Sequence, residues 1–176
     1  GEAERASLRA KGLTQQLLTF SRGGAPIKKV VDVVALLRET ASFACRGTAV
    51  ALDIRPTAGP IYAEVDEGQI GQVINNIALN AVQAMPAGGT LTVAADVVTF
   101  DEVNPHTLPA GRFARLTLAD TGTGIPPELI ARVFDPYFTT KQQGSGLGLA
   151  ISDSIVSRHG GHLGVRSRLG AGAEFE

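Results

Sequence analysis

The sequence predicts an α/β sandwich, in which a mixed β-sheet carries helices on one face. Two features indicate this class. Helix-like and strand-like stretches do not alternate strictly, as they would in a parallel sheet built from βαβ units. In addition, the strand-like segments 90–99 and 113–118 are joined by a polar loop with two prolines, 100–111, which is typical of an antiparallel hairpin.

Composition indicates a globular chain and argues against several classes of protein. The 176 residues include 16 Lys and Arg against 17 Asp and Glu, and the net charge of −1 argues against a dedicated nucleic-acid-binding protein. With 44% hydrophobic residues, a packed core is expected. The single cysteine, Cys45, excludes an internal disulfide and fits a reducing compartment. No apolar run approaches the roughly 18 residues of a membrane span. We therefore expect a cytoplasmic domain, whether or not its parent protein is anchored to a membrane.

The N-terminal segment is expected to be separate from the rest of the chain. Apolar residues recur at spacings of three and four over residues 2–20, which predicts one amphipathic helix. These residues are Ala6, Ala10, Leu13, Leu17 and Phe20. Two glycines and a proline then end the helix, so we expect residues 23–27 to be a linker and residues 28–176 to form the main domain. One helix cannot bury its apolar face alone and needs a partner chain or a further segment.

Capping and turn residues divide the main domain into predicted elements. Asp32 and Asp66 are candidate N-caps, the first for a helix over 32–45 and the second for a helix that ends at the Pro-Ala-Gly-Gly stretch 86–89. Residues 120–144 are expected to be irregular, and a last helix is expected over 147–159. The predicted strands are 30–31, 49–54, 61–63, 90–99, 113–118, 162–167 and 173–175.

Asn76 and Asn80 are the first candidate functional pair. Four residues correspond to about 400° of helical rotation, so both amides project from nearly the same side of the predicted helix. The core side of that helix is taken by Ile74 and Ile77. An Asn side chain offers a neutral oxygen ligand for a hard cation such as Mg²⁺. The alternative is that both are ordinary surface amides.

Asp120 follows an apolar strand and precedes Gly122 and Gly124. A carboxylate accepts hydrogen bonds and cannot donate them, so it suits an amino group such as the exocyclic amine of adenine and disfavours the carbonyl of guanine. The two glycines permit a positive φ and a close approach of the main chain. The alternative is a common Asp-x-Gly turn.

Three alternate glycines, Gly144, Gly146 and Gly148, open the last predicted helix. Main-chain N–H groups at a helix N-terminus, together with the helix dipole, suit a phosphate group. The segment lacks the Gly-Lys-Ser/Thr of a P-loop and is not directly preceded by a strand, so it matches neither of the two common glycine-rich nucleotide motifs. A flexible loop is the alternative.

An aromatic segment, Phe134-Asp135-Pro136-Tyr137-Phe138, lies between these motifs. We expect its three aromatic side chains to anchor a loop over a pocket, with Lys141 at the pocket's edge. Lys141 could then offset phosphate charge, or it could be an ordinary solvated lysine.

The order of these motifs resembles the catalytic ATP-binding domain of sensor histidine kinases, within the GHKL group of ATPases. The segments around Asn76, Asp120, Phe134, Gly144 and Gly170 look like that family's N, G1, F, G2 and G3 boxes, and the resemblance covers roughly residues 28–176. It implies the α+β GHKL (Bergerat) fold, with a mostly antiparallel mixed sheet. Residues 1–22 are similar to the end of the second helix of the family's dimerisation and phosphoacceptor domain.

The resemblance also implies roles for individual residues, with ATP and Mg²⁺ as cofactors. Asn80 would be the metal ligand, Asp120 would hold the adenine amine, and Asn76 and Lys141 would act beside the phosphates. Residues from about 121 to 144 would form the mobile lid over ATP. The remaining residues implied in nucleotide binding are Gly122, Gly124, Ile125, Thr140, Gly144, Ser145, Gly146, Leu147, Gly148 and Leu149. The family usually has Thr after the last glycine box, and Ala173 here implies that one hydrogen bond to the base is lost or replaced by water.

The residue four positions before the metal ligand distinguishes two activities within the group. Its true ATPases have a glutamate there, which activates water as a general base. Here the position is Asn76, whose amide has no useful basicity, so we expect a kinase that transfers the γ-phosphoryl group to a histidine. The alternatives are a GHKL-type ATPase and a nucleotide-binding interaction module without kinase activity.

The acceptor and the partners are expected to lie elsewhere. The family's acceptor histidine is on the first dimerisation helix, which this sequence lacks, so the fragment alone is not expected to autophosphorylate. The histidines present, His106, His159 and His162, are expected to be structural or solvated. The implied partners are a histidine-bearing dimerisation domain and a response regulator receiver domain, in a homodimeric parent protein.

Overall fold

The computed structural model describes residues 25–141 and 144–176. The predicted helix over 2–20, the dimerisation-domain remnant over 1–22 and the first two residues of the linker 23–27 lie outside these residues, so the division into domains stays a prediction. Of the helices in the described ranges, none is both long enough and apolar enough to cross a membrane.

Seven strands and four helices make up the described part of the chain. In chain order they are β1 (Lys29–Asp32), α1 (Val33–Cys45), β2 (Val50–Ile54), β3 (Tyr62–Val65), α2 (Glu67–Ala84), β4 (Gly89–Phe100), β5 (Gly111–Asp120), α3 (Pro127–Ile130), α4 (Gly148–Arg158), β6 (Val165–Ser167) and β7 (Ala173–Phe175).

Five strands form the main sheet, in the order β2-β4-β5-β7-β6. β2 runs parallel to β4, whereas the other neighbouring pairs are antiparallel. The parallel pair needs a crossover connection, which β3 and α2 supply. β4 and β5 pair from Leu91↔Asp120 to Phe100↔Gly111, which confirms the predicted hairpin and the mixed, mostly antiparallel sheet.

A two-stranded antiparallel ribbon of β1 and β3 leads into the first two helices. Oδ1 of Asp32 accepts hydrogen bonds from the N–H groups of Val34 and Ala35, and Oδ1 of Asp66 accepts one from Gln69. Each carboxylate satisfies N–H groups that have no partner within the helix. Both predicted N-caps are therefore confirmed, and they explain where α1 and α2 begin.

The core lies between one face of the main sheet and the helices α1, α2 and α4. Leu91 and Val93 of β4 are both fully buried, and they pack in one cluster with apolar residues from these three helices. α2 contributes residues at helical spacing. They are Val73, Ile74, Ile77, Ala78 and Ala81. The predicted sandwich, with helices on one face, is confirmed.

Two local predictions differ from the structure. The stretch 120–144 contains one short helix, α3, because Pro127 at its first turn has the φ that a helix needs and no N–H to leave unpaired. β6 begins at Val165 and not at residue 162, because main-chain pairing with the end of the chain starts only at Gly164, which exchanges two hydrogen bonds with Glu176.

The packing predicts a large difference between two leucines. Leu91→Ala should lower the free energy of unfolding by about 2–5 kcal/mol, since it leaves a cavity in the middle of the core. Leu169→Ala is the matched control, because Leu169 is 61% exposed and the same change there should cost less than about 0.5 kcal/mol. Urea denaturation of the two variants measures both values, and equal losses would contradict this description of the core.

Candidate functional site

A cavity of about 600 Å³ lies among α2, the end of β5 and the start of α4. Its volume is in the usual range of small-molecule sites. Its lining brings together all four candidate motifs, which are separate in the sequence. The predicted site residues that line it are Asn76, Asn80, Asp120, Gly124, Ile125, Thr140, Lys141, Gly144, Ser145, Gly146, Gly148 and Leu149.

Two predicted site residues, Gly122 and Leu147, are not part of this lining. The Leu147 side chain is 1% exposed and belongs to the core, and its N–H donates to Oγ of Ser145 over 3.4 Å. A Cβ at Gly122 would lie 2.7 Å from the carbonyl oxygen of Ala84. Gly122 is therefore needed for the close approach of its loop to α2. This confirms the predicted close approach of the main chain at this glycine.

Asp120 is buried at the end of β5, where it is 9% exposed. Oδ1 accepts hydrogen bonds from the N–H of Gly122 at 2.8 Å and from the N–H of Ala173 at 3.4 Å. Burial raises the pKa of this carboxyl, and the two N–H donors and the charge of Lys141 oppose the rise. Among the described residues, nothing donates to Oδ2, so this oxygen is left to accept a hydrogen bond from a ligand.

Lys141 spans the cavity to the polar side of α2. Its Nζ donates to Oδ1 of Asn80 at 2.9 Å and to Oε1 of Gln83 at 2.7 Å. Desolvation lowers the pKa of this ammonium group, and the Asp120 carboxylate raises it in part. A cation is thus already held between two neutral amide oxygens. Sequence reasoning assigned no role to Gln83, although its position three residues after Asn80 places it on the same side of the helix.

Asn76 connects α2 to the first turn of α4. Its Nδ2 donates to the carbonyl oxygen of Gly148 at 3.1 Å and to Oγ of Ser152 at 3.3 Å. Ser152 is fully buried and also donates to the Gly148 carbonyl. The amide therefore fixes the position of the glycine-rich segment relative to α2. Sequence reasoning missed Ser152, which resembles any serine within a helix.

The start of α4 has the properties of an anion-binding site. Its N-cap residue, Leu147, offers no side-chain hydrogen bond to the helix, and Gly148 and Leu149 line the cavity. The first N–H groups of a helix have no partner within it and carry the positive end of the dipole. The cavity therefore has a carboxylate, Asp120, a cation, Lys141, and an N-terminus suited to a negative group.

The aromatic segment anchors the loop through two side chains and not through three. Phe134 packs against the core, and Phe138 lines the cavity with the Arg132 guanidinium 4.6 Å from its ring centroid. Tyr137 is 68% exposed, so the prediction that it also anchors the loop is wrong. Its φ is +65°, and this turn brings its carbonyl group against Gly146.

The comparison with known proteins decides the family. Residues 65–176 match the family described as histidine kinase-, DNA gyrase B-, and HSP90-like ATPase. The chain belongs to this family. Its relatives named as sensor kinases further indicate an ATP-binding catalytic domain of the sensor histidine kinase type.

Two curated relatives illustrate the similarity of this kinase-type domain. Sensor kinase CckA of Brucella abortus is 33% identical over 96% of the chain, and the match covers 18% of CckA. Sporulation kinase A of Bacillus subtilis is 33% identical over 85% of the chain, and the match covers 22% of that kinase. The chain thus spans about a fifth of the length of these relatives.

Solved structures of histidine kinases share the fold of the domain. The mycobacterial sensor histidine kinase MprB has a TM-score of 0.68 at 27% identity, and the match covers 85% of this chain and 94% of the MprB chain. ShkA, solved at full length in complex with AMPPNP, has a TM-score of 0.68 at 31% identity, and the match covers 99% of this chain and 37% of the ShkA chain.

The three histidines of this kinase-type domain lie away from the cavity that holds Asp120. Nε2 of His159 accepts a hydrogen bond from the N–H of Asp66, and Nδ1 lies 2.8 Å from the carbonyl oxygen of Ile155. The rings of His106 and His162 stack with centroids 4.5 Å apart. Within residues 25–141 and 144–176, no histidine lines the cavity that holds Asp120.

Two glycines with a positive φ give a matched test of the loop contact at Gly146. At Gly146, where φ is +67°, an added Cβ would collide with the carbonyl group of Tyr137, whereas at Gly160, where φ is +77°, it would meet nothing within 4 Å. Both alanine substitutions should cost about 1–2 kcal/mol of stability from the backbone conformation alone. Only Gly146→Ala should also weaken ADP binding, by about tenfold or more, because the glycine segment has to move. Thermal denaturation and calorimetric titration measure the two effects, and equal ADP affinities would contradict the contact.

Proposed function

We propose that this domain binds Mg-ATP in the cavity and delivers the γ-phosphoryl group to a histidine outside the described residues. The observation that carries the proposal is the charge distribution of the lining. Its only carboxylate among the described residues is Asp120, which two main-chain N–H groups hold at the end of β5. On α2, beside the cation position, the polar groups are amides.

The base of the nucleotide fits the Asp120 end of the cavity. Oδ2 of this carboxylate is free to accept a hydrogen bond from the exocyclic amine of adenine, and a hydrogen bond to a charged group is worth about 1.5–3 kcal/mol. Gly124 and Ile125, on the loop that follows Asp120, also line the cavity. The carbonyl of guanine in the same place could not form a hydrogen bond with the carboxylate, because both groups are acceptors.

The phosphates fit the other end, between α4 and Lys141. The N–H groups at the start of α4 suit an anion such as a phosphate group, and Ser145 and Gly146 line the cavity beside them. The Lys141 ammonium can leave the amide oxygens of Asn80 and Gln83 and turn to a phosphate oxygen, since its side chain is long and flexible. Thr140 lies beside it on the same loop.

The residues present fit a magnesium ion. Oδ1 of Asn80 and Oε1 of Gln83 already surround one cation, the Lys141 ammonium, and neutral oxygens are suitable ligands for Mg²⁺ when phosphates and waters supply the rest. No cluster of three or more His, Cys, Asp or Glu side chains occurs in the described ranges, so these amides are the candidate protein ligands. When bound, the ion would neutralise charge that develops on the phosphates.

Transfer to water is disfavoured because the described residues that line the cavity include no base on α2 beside the cation position. The Asn76 amide cannot accept a proton at neutral pH, and its nitrogen is bonded to α4. A general base contributes about 10²–10⁴-fold to such a reaction, so hydrolysis without one should be slow. A histidine brings its own nucleophilic nitrogen and needs mainly to be placed in line with the γ-phosphate.

The acceptor and the other partners are part of the same proposal. His106, His159 and His162 lie away from the cavity, so the acceptor comes from another segment, such as a histidine-bearing dimerisation domain of a homodimeric parent protein. From there the phosphoryl group would pass to a response regulator receiver domain. Two relatives of much greater length, a sensor kinase and a sporulation kinase, support this arrangement.

Base recognition is tested by Asp120→Asn. This change keeps the size of the side chain. Because the N–H groups of Gly122 and Ala173 need the amide oxygen as their acceptor, the amide NH2 takes the place of Oδ2, and the affinity for ADP should fall by about ten- to a hundredfold. The weaker binding of GDP should not fall, because the guanine carbonyl then no longer faces a carboxylate. Calorimetric titration with both nucleotides, in the presence and absence of Mg²⁺, measures this. Unchanged ADP affinity would show that Asp120 does not recognise adenine.

Asp120 also makes ADP binding depend on pH. Because burial raises the pKa of this carboxyl above its usual value of 3.8, the affinity for ADP should fall as the pH is lowered through the raised value, and Asp120→Asn should abolish that decrease. The fold is not expected to suffer: a raised pKa means that the charged form opposes folding at neutral pH. The stability of the wild type should therefore rise relative to that of Asp120→Asn as the pH is lowered through the raised value, and thermal denaturation of both proteins over that pH range measures the difference.

Kinase activity is tested by phosphotransfer. With radiolabelled ATP and separately supplied dimerisation domains of sensor kinases, the domain should form acid-labile phosphohistidine on the supplied partner and none on itself. A partner whose acceptor histidine is replaced by glutamine is the control. Rapid phosphate release without a partner would favour a water-consuming ATPase. ADP binding without transfer to several partners would favour an interaction module and contradict the kinase proposal.

A further inference from the structure

The end of β6 and the turn between β6 and β7 are hydrogen-bonded to the loop that follows Asp120. The N–H of Gly170 donates to the carbonyl oxygen of Thr123 at 2.7 Å, and the N–H of Ile125 donates to Oγ of Ser167 at 2.8 Å. Gly124 lies so close to Arg168 that an added Cβ would collide with the Arg168 carbonyl group. The base-binding end of the cavity is therefore built on this turn.

The Ser167 hydroxyl links that loop to the Asp120 carboxylate. While Oγ accepts the hydrogen bond from Ile125, it donates to the carbonyl oxygen of Gly172 at 2.7 Å. The same peptide group continues into the N–H of Ala173, which donates to Oδ1 of Asp120. Donation to a peptide carbonyl polarises the peptide and strengthens its N–H as a donor. The hydrogen bonds thus form one chain from Ile125 through Ser167 and the Gly172–Ala173 peptide to Asp120.

We propose that Ser167 is a positioning residue for adenine recognition, because it sets the Gly172–Ala173 peptide that orients the Asp120 carboxylate. With Oδ1 held by Ala173 and Gly122, Oδ2 is presented to the base. This inference rests on the proposed role of Asp120, and it assigns to Ser167 no contact with the nucleotide.

The local geometry explains why the Gly172–Ala173 peptide is held by the Ser167 hydroxyl and not by a side chain at position 172. A side chain at position 172 is excluded, because an added Cβ there would collide with the carbonyl group of Asp120, and φ is +86°. The Gly172 peptide is instead held from the end of β6, where its carbonyl oxygen accepts from the Ser167 hydroxyl at 2.7 Å and, over 3.4 Å, from the N–H of Arg168. The linking group has to accept from Ile125 and donate to Gly172 at once, which a hydroxyl does and a methyl group cannot.

The experiment compares the affinities of two nucleotides for variants at positions 167, 157 and 120. The first nucleotide is ADP, and the second is the purine riboside diphosphate that carries hydrogen in place of the amine. Ser167→Ala removes the hydroxyl, and Ser157→Ala is the matched control, since Ser157 is an exposed residue of α4. Ser167→Cys keeps the side-chain volume with a much weaker donor, and it takes the place of the alanine variant if that variant does not fold. Calorimetric titration gives all affinities, and thermal denaturation checks the fold.

A positioning role predicts loss of selectivity and not merely loss of affinity. Ser167→Ala should reduce the preference for ADP over the amine-free nucleotide by about fivefold, with little change in the affinity for the amine-free nucleotide, and Ser157→Ala should change neither. In Asp120→Asn, which has no carboxylate to orient, adding Ser167→Ala should have no further effect on the preference. Equal weakening of both nucleotides would mean that Ser167 only stabilises the fold, and it would overturn the inference.

The two possible failures are distinguishable. If Asp120→Asn leaves the preference for ADP unchanged, then the assignment of Asp120 to the base is wrong and the role of Ser167 fails with it. If Asp120→Asn abolishes the preference and both Ser167 variants retain it in full, then Asp120 recognises adenine and only the role of Ser167 is overturned.

Discussion

The site depends on one constraint, which is that α2 is buried along one side and polar along the other. Ile74 and Ile77 are almost fully buried against the sheet, so the rotation of the helix about its axis is fixed by core packing. That rotation brings Asn76, Asn80 and Gln83 to the cavity. Burial of a large apolar side chain contributes roughly 1.5–3 kcal/mol to the free energy of folding. The packing of α2 therefore places the three amides side by side, although they are not hydrogen-bonded to one another.

Asp120 shows how the fold keeps a buried carboxylate. Burial opposes its charge, and the main-chain donors at Gly122 and Ala173 offset that opposition in part. These donors come close only because glycines at 122 and 172 leave room beside Ala84 and beside the Asp120 main chain. The glycines are therefore as necessary to the site as the acid, because without them the charge would be buried with fewer partners.

The described lining of the cavity combines cationic and neutral groups with one carboxylate, Asp120. Lys141 and the first turn of α4 favour a polyanion, while the amides of α2 accept a cation without adding negative charge. An ATPase needs a base next to the γ-phosphate, whereas a kinase needs room for its acceptor and an unreactive surrounding. The described lining meets the second requirement, since its carboxylate, Asp120, is hydrogen-bonded to the main chain at the end where we propose that the base binds.

The sequence by itself determined the elements and the motif residues, because these depend on local periodicity, capping and backbone freedom. The spacing of Asn76 and Asn80 already placed both on one side of a helix, and Asp66 already marked where that helix begins. Only the tertiary structure decided which groups meet. The bonds from Asn76 to Gly148, from Lys141 to Gln83 and from Ala173 to Asp120 join residues 72, 58 and 53 positions apart. No local pattern encodes such contacts, since they arise from how the helices and the sheet pack around a common core.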